Sequence, residues 1–313
     1  MTKQVFSEPK KDREMTGHDL ITTVHYYNDP GDGSAPTPVY VGSSQVTNER
    51  PMVPTTVTVT DVTGDERSFT LDTHGFQFHS HTSKEKDFHE KEVPANYYPE
   101  CEQLLKDMQH NAGVDRRGRP RTLTSPLTLR DFSNSTGASR VIAFDYKVRR
   151  GPSFWHKLGE HNTKSRGPLH RAHVDQSYDG AVIRLREALP DEADELLLSR
   201  RWQIINIWRP LKTVYKDPLA FADARSVDDK DLVAASIIFT KTGRRLESWT
   251  VKPNPLHRWH YKHAQQPDEV VLIKCFDSDA SVARRVPHCA VEDPDERGME
   301  CRESVEVRLF VFY

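Results

Sequence analysis

No stretch of the chain reaches the run of roughly 18 apolar residues that a membrane-spanning helix requires, so no such helix is expected. The opening residues, MTKQVFSEPKKDREM, have no apolar centre and do not read as a secretory leader, which points to the cytoplasm. The net charge is only −2, too small to draw the protein to nucleic acid or to an anionic membrane, and neither is expected as a partner. A homo-oligomer stays open. Cysteine is scarce: the four, Cys101, Cys275, Cys289 and Cys301, include no Cys-x-x-Cys pair, which argues against a zinc ribbon or a thioredoxin-like site. They are expected as free thiols of a reducing compartment. Internal repeats are also lacking.

What is present is a foldable chain. With 36% hydrophobic and 29% charged residues it lies above the disordered range, and its 313 residues suffice for one large β-rich domain or two smaller ones. Residues 1–20 are charged and read as a flexible N-terminal tail, leaving 21–313 as a single domain with helical insertions. ITTVHYY (21–27) and PVYV (38–41) are strand-like around a Gly/Pro-rich loop at 29–37. Between 52 and 72, alternating valines and a turn at 61–66 predict a hairpin. Residues 83–113 predict helix, with Pro99 in a first turn and Gly113 near the stop; Tyr178 to Leu189 predicts another, and Pro190 the start of a third. Residues 137–150, centred on Val141, Ala143 and Phe144, RWQIINIWRPL (201–211), VAASIIFT, EVVLIKCFDS and SVEVRLFVFY predict further strands. The fold class that fits is mainly β with flanking helices, a single distorted double-sheet barrel.

The tripeptide His173-Val174-Asp175 carries the chemistry. On a strand, residues two apart project from the same face, so His173 and Asp175 can grip one metal ion while Val174 turns into packing. His288, in RRVPHCAVEDP, is the best third ligand. Two imidazoles and one carboxylate make a facial set that leaves three adjacent positions open on iron(II) for a chelating co-substrate and dioxygen. Beyond it, Arg302, Ser304, Glu306 and Arg308 alternate with Val305, Val307 and Leu309 on the last strand. Arginines on a buried wall call for an anion, and a dicarboxylate paired with Arg302 or Arg308, beside Ser304, answers that. Asn206, Trp208 and Arg209 can line or support the site, although Trp208 also reads as a core aromatic and Arg209 as half of a structural ion pair. A competing cluster, His257, His260 and His263, has no carboxylate within its repeat. His79, His81 and His89 read as surface histidines. Cys289 reads as a small packing residue with some exposure to oxidation during uncoupled turnover.

The stretches TLDTHGFQF (70–78), YYPECEQLL (97–105), HVDQS (173–177), IINIWRPL (204–211), LIKCFDS (272–278), VPHCAVEDP (286–294) and RESVEVRLFVFY (302–313) follow one another along nearly the whole chain. In them the chain resembles the fungal and bacterial hydroxylase/desaturase family of gibberellin A4 desaturase-like and cephem 7α-methoxylase-subunit-like proteins. The resemblance implies a double-stranded β-helix of jelly-roll or cupin type, Fe(II), and 2-oxoglutarate and O2 as co-substrates. It implies ligand roles for His173, Asp175 and His288, and a co-substrate role for Arg302 or Arg308. Hydroxylation or desaturation of an unactivated C–H bond in a small molecule of secondary metabolism is the implied reaction. Two other readings stay open: an iron dioxygenase independent of 2-oxoglutarate, which would not need Arg302 or Ser304, and a non-catalytic barrel that binds a small molecule or partner.

Overall fold

The computed structural model describes residues 18–42, 46–48, 50–111, 138–153, 166–198 and 201–313. Most of the expected tail, residues 1–17, lies outside them; strand pairing begins at Leu20. In chain order the strands are β1 (Leu20–Tyr27), β2 (Val39–Val41), β3 (Val46–Thr47), β4 (Met52–Asp61), β5 (Phe76–Ser80), β6 (Arg140–Arg149), β7 (His173–Val174) and β8 (Trp202–Pro210). There follow β9 (Leu219–Ala222), β10 (Leu232–Phe239), β11 (Arg245–Val251), β12 (Trp259–Tyr261), β13 (Glu269–Asp277), β14 (His288–Ala290) and β15 (Ser304–Phe312). They form a ten-stranded sheet in the order β1-β4-β12-β9-β14-β7-β11-β10-β2-β3, and a five-stranded sheet in the order β5-β13-β8-β15-β6.

The five-stranded sheet is covered on both faces, which is why its central strands are rich in apolar residues rather than half polar. In β15 every residue is buried. Val305, Val307, Leu309 and Val311 pack outward with Leu104 and Leu105 of the helix Tyr98–Asn111. Phe310 and Phe312 point inward, sharing a cluster with Ile204, Trp208, Ile273 and, from the opposite sheet, Val174 and Phe221. A third cluster, with Val24, Ala172, Ala222, Trp259 and Cys289, fills the other face of the large sheet. The fold is thus the expected mainly β, two-sheet architecture, and the space between the sheets is where side chains of both can meet.

Three local expectations are corrected. No hairpin forms at 52–72: β4 pairs with β1 and β12, and the chain after Asp61 turns into short helices, Glu66–Ser68 and Leu71–His74. The helix predicted over 83–113 is confined to Val93–Asn96 and Tyr98–Asn111; between Ser83 and Phe88 the side chains of Ser83 and Glu85 cap backbone N–H groups in turns instead. The helix expected from Pro190 starts at Ala193.

Candidate metal centre

His173 and His288 sit directly opposite each other on the antiparallel pair β7–β14. Directly opposed side chains lie on one face of a sheet, and the two imidazole centroids are 4.6 Å apart. Strand β7 is only two residues long, and Asp175 lies on the bend just beyond it. Val174, between the two polar residues, is fully buried in the core cluster, as its apolar side chain requires. One ligand atom from each of His173, Asp175 and His288 lies within 4.8 Å of the others. Asp175 Oδ1 is 3.4 Å from His173 Nε2, close to the ~3 Å expected for two adjacent ligands on one transition-metal ion.

The donor set is pre-oriented. Nδ1–H of His173 donates to the carbonyl of Arg171 at 2.9 Å, and Nδ1–H of His288 to that of Val286 at 3.2 Å. A carbonyl can only accept, so each ring carries its proton on Nδ1 and keeps the Nε2 lone pair free for a metal. Burial, then the neighbouring His173, lowers the pKa of His288 to about 3, so it is a neutral imidazole at any ordinary pH. Burial by itself would raise the Asp175 carboxyl; the Arg308 guanidinium, followed by His173 and His288, overrides it and holds the group well below the usual carboxylate range.

Polar side chains of the five-stranded sheet complete the surroundings, and strand register explains their placement. Arg308 stands opposite Asn206 on β8 and opposite Asp145 on β6. Asn206 Nδ2 and Arg308 Nε each donate to Asp175 Oδ2 at 2.8 Å. The other two nitrogens of Arg308 donate to Asp145 at 2.9 Å and to Glu306 at 2.5 Å. One step along, Glu306 is opposite Lys147 and Trp208; the next step sets Ser304 opposite Arg149 and Pro210.

Arg302 differs from Arg308. It precedes β15, is 4% exposed, lies over the Trp208 ring with its guanidinium carbon 5.3 Å from the centroid, and donates through Nη1 to the Asp217 carbonyl at 2.7 Å. Its buried Nε has no hydrogen-bond partner among the described residues. Burial, then Arg149, lowers its pKa to about 10. Trp208 is therefore both a core aromatic and the platform for Arg302. Arg209 points to the other face, donating to Tyr97 Oη at 2.7 Å and to the carbonyls of His81 and Pro267, a structural role.

Among the described residues, the competing histidines do not converge with one another. His257 is held by Tyr26 and Asp231, His260 by aromatic rings at Phe69 and Phe76, and His263 stacks on His18. His79 and His81 are partly buried rather than surface groups, His81 being 2.6 Å from Arg209 Nη2. Sequence reasoning missed Asp145 and Asp217; the alternation in FDYKVRR (144–150) was the available signal for the first.

Two imidazoles and one carboxylate, gathered within 4.8 Å of one another in a two-sheet β fold, define the class: a double-stranded β-helix with the donor set of a mononuclear non-haem metal site. A family model described as an oxidoreductase/YMDC permease-like domain matches residues 24–114 and 126–312. Among the described residues no helix is long and apolar enough to cross a membrane. The hydroxylase/desaturase efuI of Hormonema carpetanum is 31% identical over 93% of this chain and 94% of its own length. The alpha-ketoglutarate-dependent dioxygenase tstK of Talaromyces stipitatus is 33% identical over 82% of this chain and 84% of its own. A solved structure of the iron and alpha-ketoglutarate-dependent endoperoxidase NvfI superposes with a TM-score of 0.73 at 22% identity, covering 94% of this chain and 98% of that one, which supports the fold. The chain belongs to this oxidoreductase domain family and, within it, to the hydroxylase/desaturase proteins.

Proposed function

We propose that the protein is an Fe(II)/2-oxoglutarate-dependent dioxygenase that hydroxylates or desaturates an unactivated C–H bond of a small molecule in secondary metabolism, acting in the cytoplasm. His173, Asp175 and His288 hold the iron. The observation that carries the reading is the pairing of this donor set with a second unmet demand, the buried Nε of Arg302, which has no partner among the described residues. A cation in that state is costly to bury unless a ligand completes it, and a carboxylate accepting from Nε would do so.

Arg302 is the anchor for the distal carboxylate of 2-oxoglutarate, with Ser304 beside it, because every nitrogen of Arg308 already donates to a protein carboxylate. Iron with 2-oxoglutarate supplies the oxidising power by coupling O2 reduction to decarboxylation, giving succinate. The chain's own part is positional. Asp175 and the two histidines fix three adjacent ligand sites, Arg302 fixes the far end of the co-substrate, and Phe76, Phe78 and Phe221, packed on one another beside His288, keep that wall apolar.

The test is spectroscopic. Anaerobic protein with Fe(II) and 2-oxoglutarate should show a weak visible charge-transfer band, and aerobic protein should release succinate slowly without substrate. His173→Ala should abolish both. A full-strength band in that variant, or no band at full iron loading of the unaltered protein, would remove the proposal.

A further inference from the structure

We infer that Arg308 and Asn206 form a positioning clamp that makes Asp175 a one-oxygen metal ligand. The inference rests on the metal site proposed above and goes one layer behind it. Asp175 Oδ1 faces His173 Nε2 at 3.4 Å, while Oδ2 accepts two hydrogen bonds at 2.8 Å, one from Asn206 and one from Arg308. A carboxylate with one oxygen held by two donors cannot swing that oxygen onto the ion without losing both bonds. The clamp itself cannot turn, because the fork of Arg308 is fixed at its other nitrogens by Asp145 and Glu306. These bonds run across β8, β15 and β6, so the position of Asp175 is set by the register of a whole sheet.

The consequence is chemical. A second carboxylate oxygen on the ion would occupy one of the three positions that the co-substrate and dioxygen need. Arg308 also draws charge from the carboxylate through its Nε–H bond to Oδ2. Arg308 does not touch the reacting atoms; it acts through Asp175.

Cobalt(II), added without 2-oxoglutarate, is the probe, because its visible ligand-field bands report the donors and geometry around it even at constant coordination number. Asn206→Ala removes one neutral donor. The pair Arg308→Gln/Glu306→Gln removes one charge of each sign, so the interior balance is kept. Both proteins should bind cobalt about 10- to 100-fold more weakly than the unaltered chain, and at saturation both should show shifted bands. Affinity within twofold, or weaker binding with unchanged bands, overturns the inference, since a merely structural loosening would lower the melting temperature without changing coordination. If the double variant fails to fold, Asn206→Ala alone decides. His288→Ala separates the two claims. If it leaves cobalt binding intact, the metal site itself is misplaced; if it abolishes binding while the clamp variants behave like the unaltered protein, only the clamp is wrong.

Discussion

Arg302 and Arg308 are two residues of one type, six positions apart, that the fold treats in opposite ways. Arg308 is encircled by Asp145, Asp175 and Glu306, and these carboxylates, outweighing the cost of burial, keep its charge secure. Arg302 has a carbonyl, a ring face and a bare Nε. Replacing Arg302 by Ala should therefore raise the 2-oxoglutarate concentration for half-maximal succinate release by about 100-fold, the ~2–3 kcal/mol of a charge-assisted hydrogen bond. Metal affinity should stay within twofold. Titration of the charge-transfer band with 2-oxoglutarate checks the first and cobalt binding the second; an unchanged half-saturation would move the anchor elsewhere. The ligand triad was legible in the sequence because metal chemistry accepts few residue types, and His-x-Asp followed by a distant His uses them. The difference between the two arginines was not legible. It depends on Arg308 standing opposite Asp145 and Asn206, a register that no local pattern specifies.

At the scale of elements, short strands carry the site, and they hold their place through neighbours. Gly75, at φ 83°, ends the helix Leu71–His74, and a Cβ there would lie 2.7 Å from Val286 Cβ and 3.2 Å from the Arg285 carbonyl, in the segment that leads into His288. Gly75→Ala should cost roughly 2–4 kcal/mol of stability, combining left-handed strain with overpacking, measured by urea denaturation; a loss under about 0.5 kcal/mol would contradict it. Strand β12 offers a pH prediction. Burial lowers the pKa of His260 from 6.5 to about 4, and its Nδ1 is buried without a partner. The unfolded chain takes up the proton first, so this group leaves stability intact above pH 6.5 and removes it progressively as pH falls to about 4. The full loss is about 3 kcal/mol. His260→Phe should flatten that part of the stability profile, and an unchanged slope between these pH values would refute the assignment. Strand β14 was invisible in the sequence because three residues cannot show a period of two, and the strand expected at His173 stops one residue short of Asp175. The long strands β8, β13 and β15 were visible because both their faces are apolar over most of their length.

Taken whole, the molecule places charge on both faces of the five-stranded sheet, and the two sets have different duties. The inward set surrounds the candidate metal centre. The other centres on Lys274 and Asp277, both fully buried and 2.7 Å apart. Lys274 Nζ also donates to Asp72 at 2.6 Å, Arg201 bridges Asp72 and Asp277 at 2.6 Å each, and Gln203 donates to Asp277 at 2.7 Å. This network ties the helix Leu71–His74 to β8 and β13, the same helix whose end packs against the His288 segment. A buried pair contributes little over an apolar substitute, but removing one partner strands the other in a low dielectric. Here Asp277 keeps Arg201 and Gln203, and Asp72 keeps Arg201, so Lys274→Met should cost about 1–3 kcal/mol in chemical denaturation. Because the network makes no bond to His173, Asp175, His288 or Arg302, the folded variant should keep its cobalt affinity and its 2-oxoglutarate half-saturation within twofold. A variant as stable as the unaltered protein would show that the network is dispensable. One that folds normally but loses cobalt would show instead that the two charged faces are coupled through the helix and Val286.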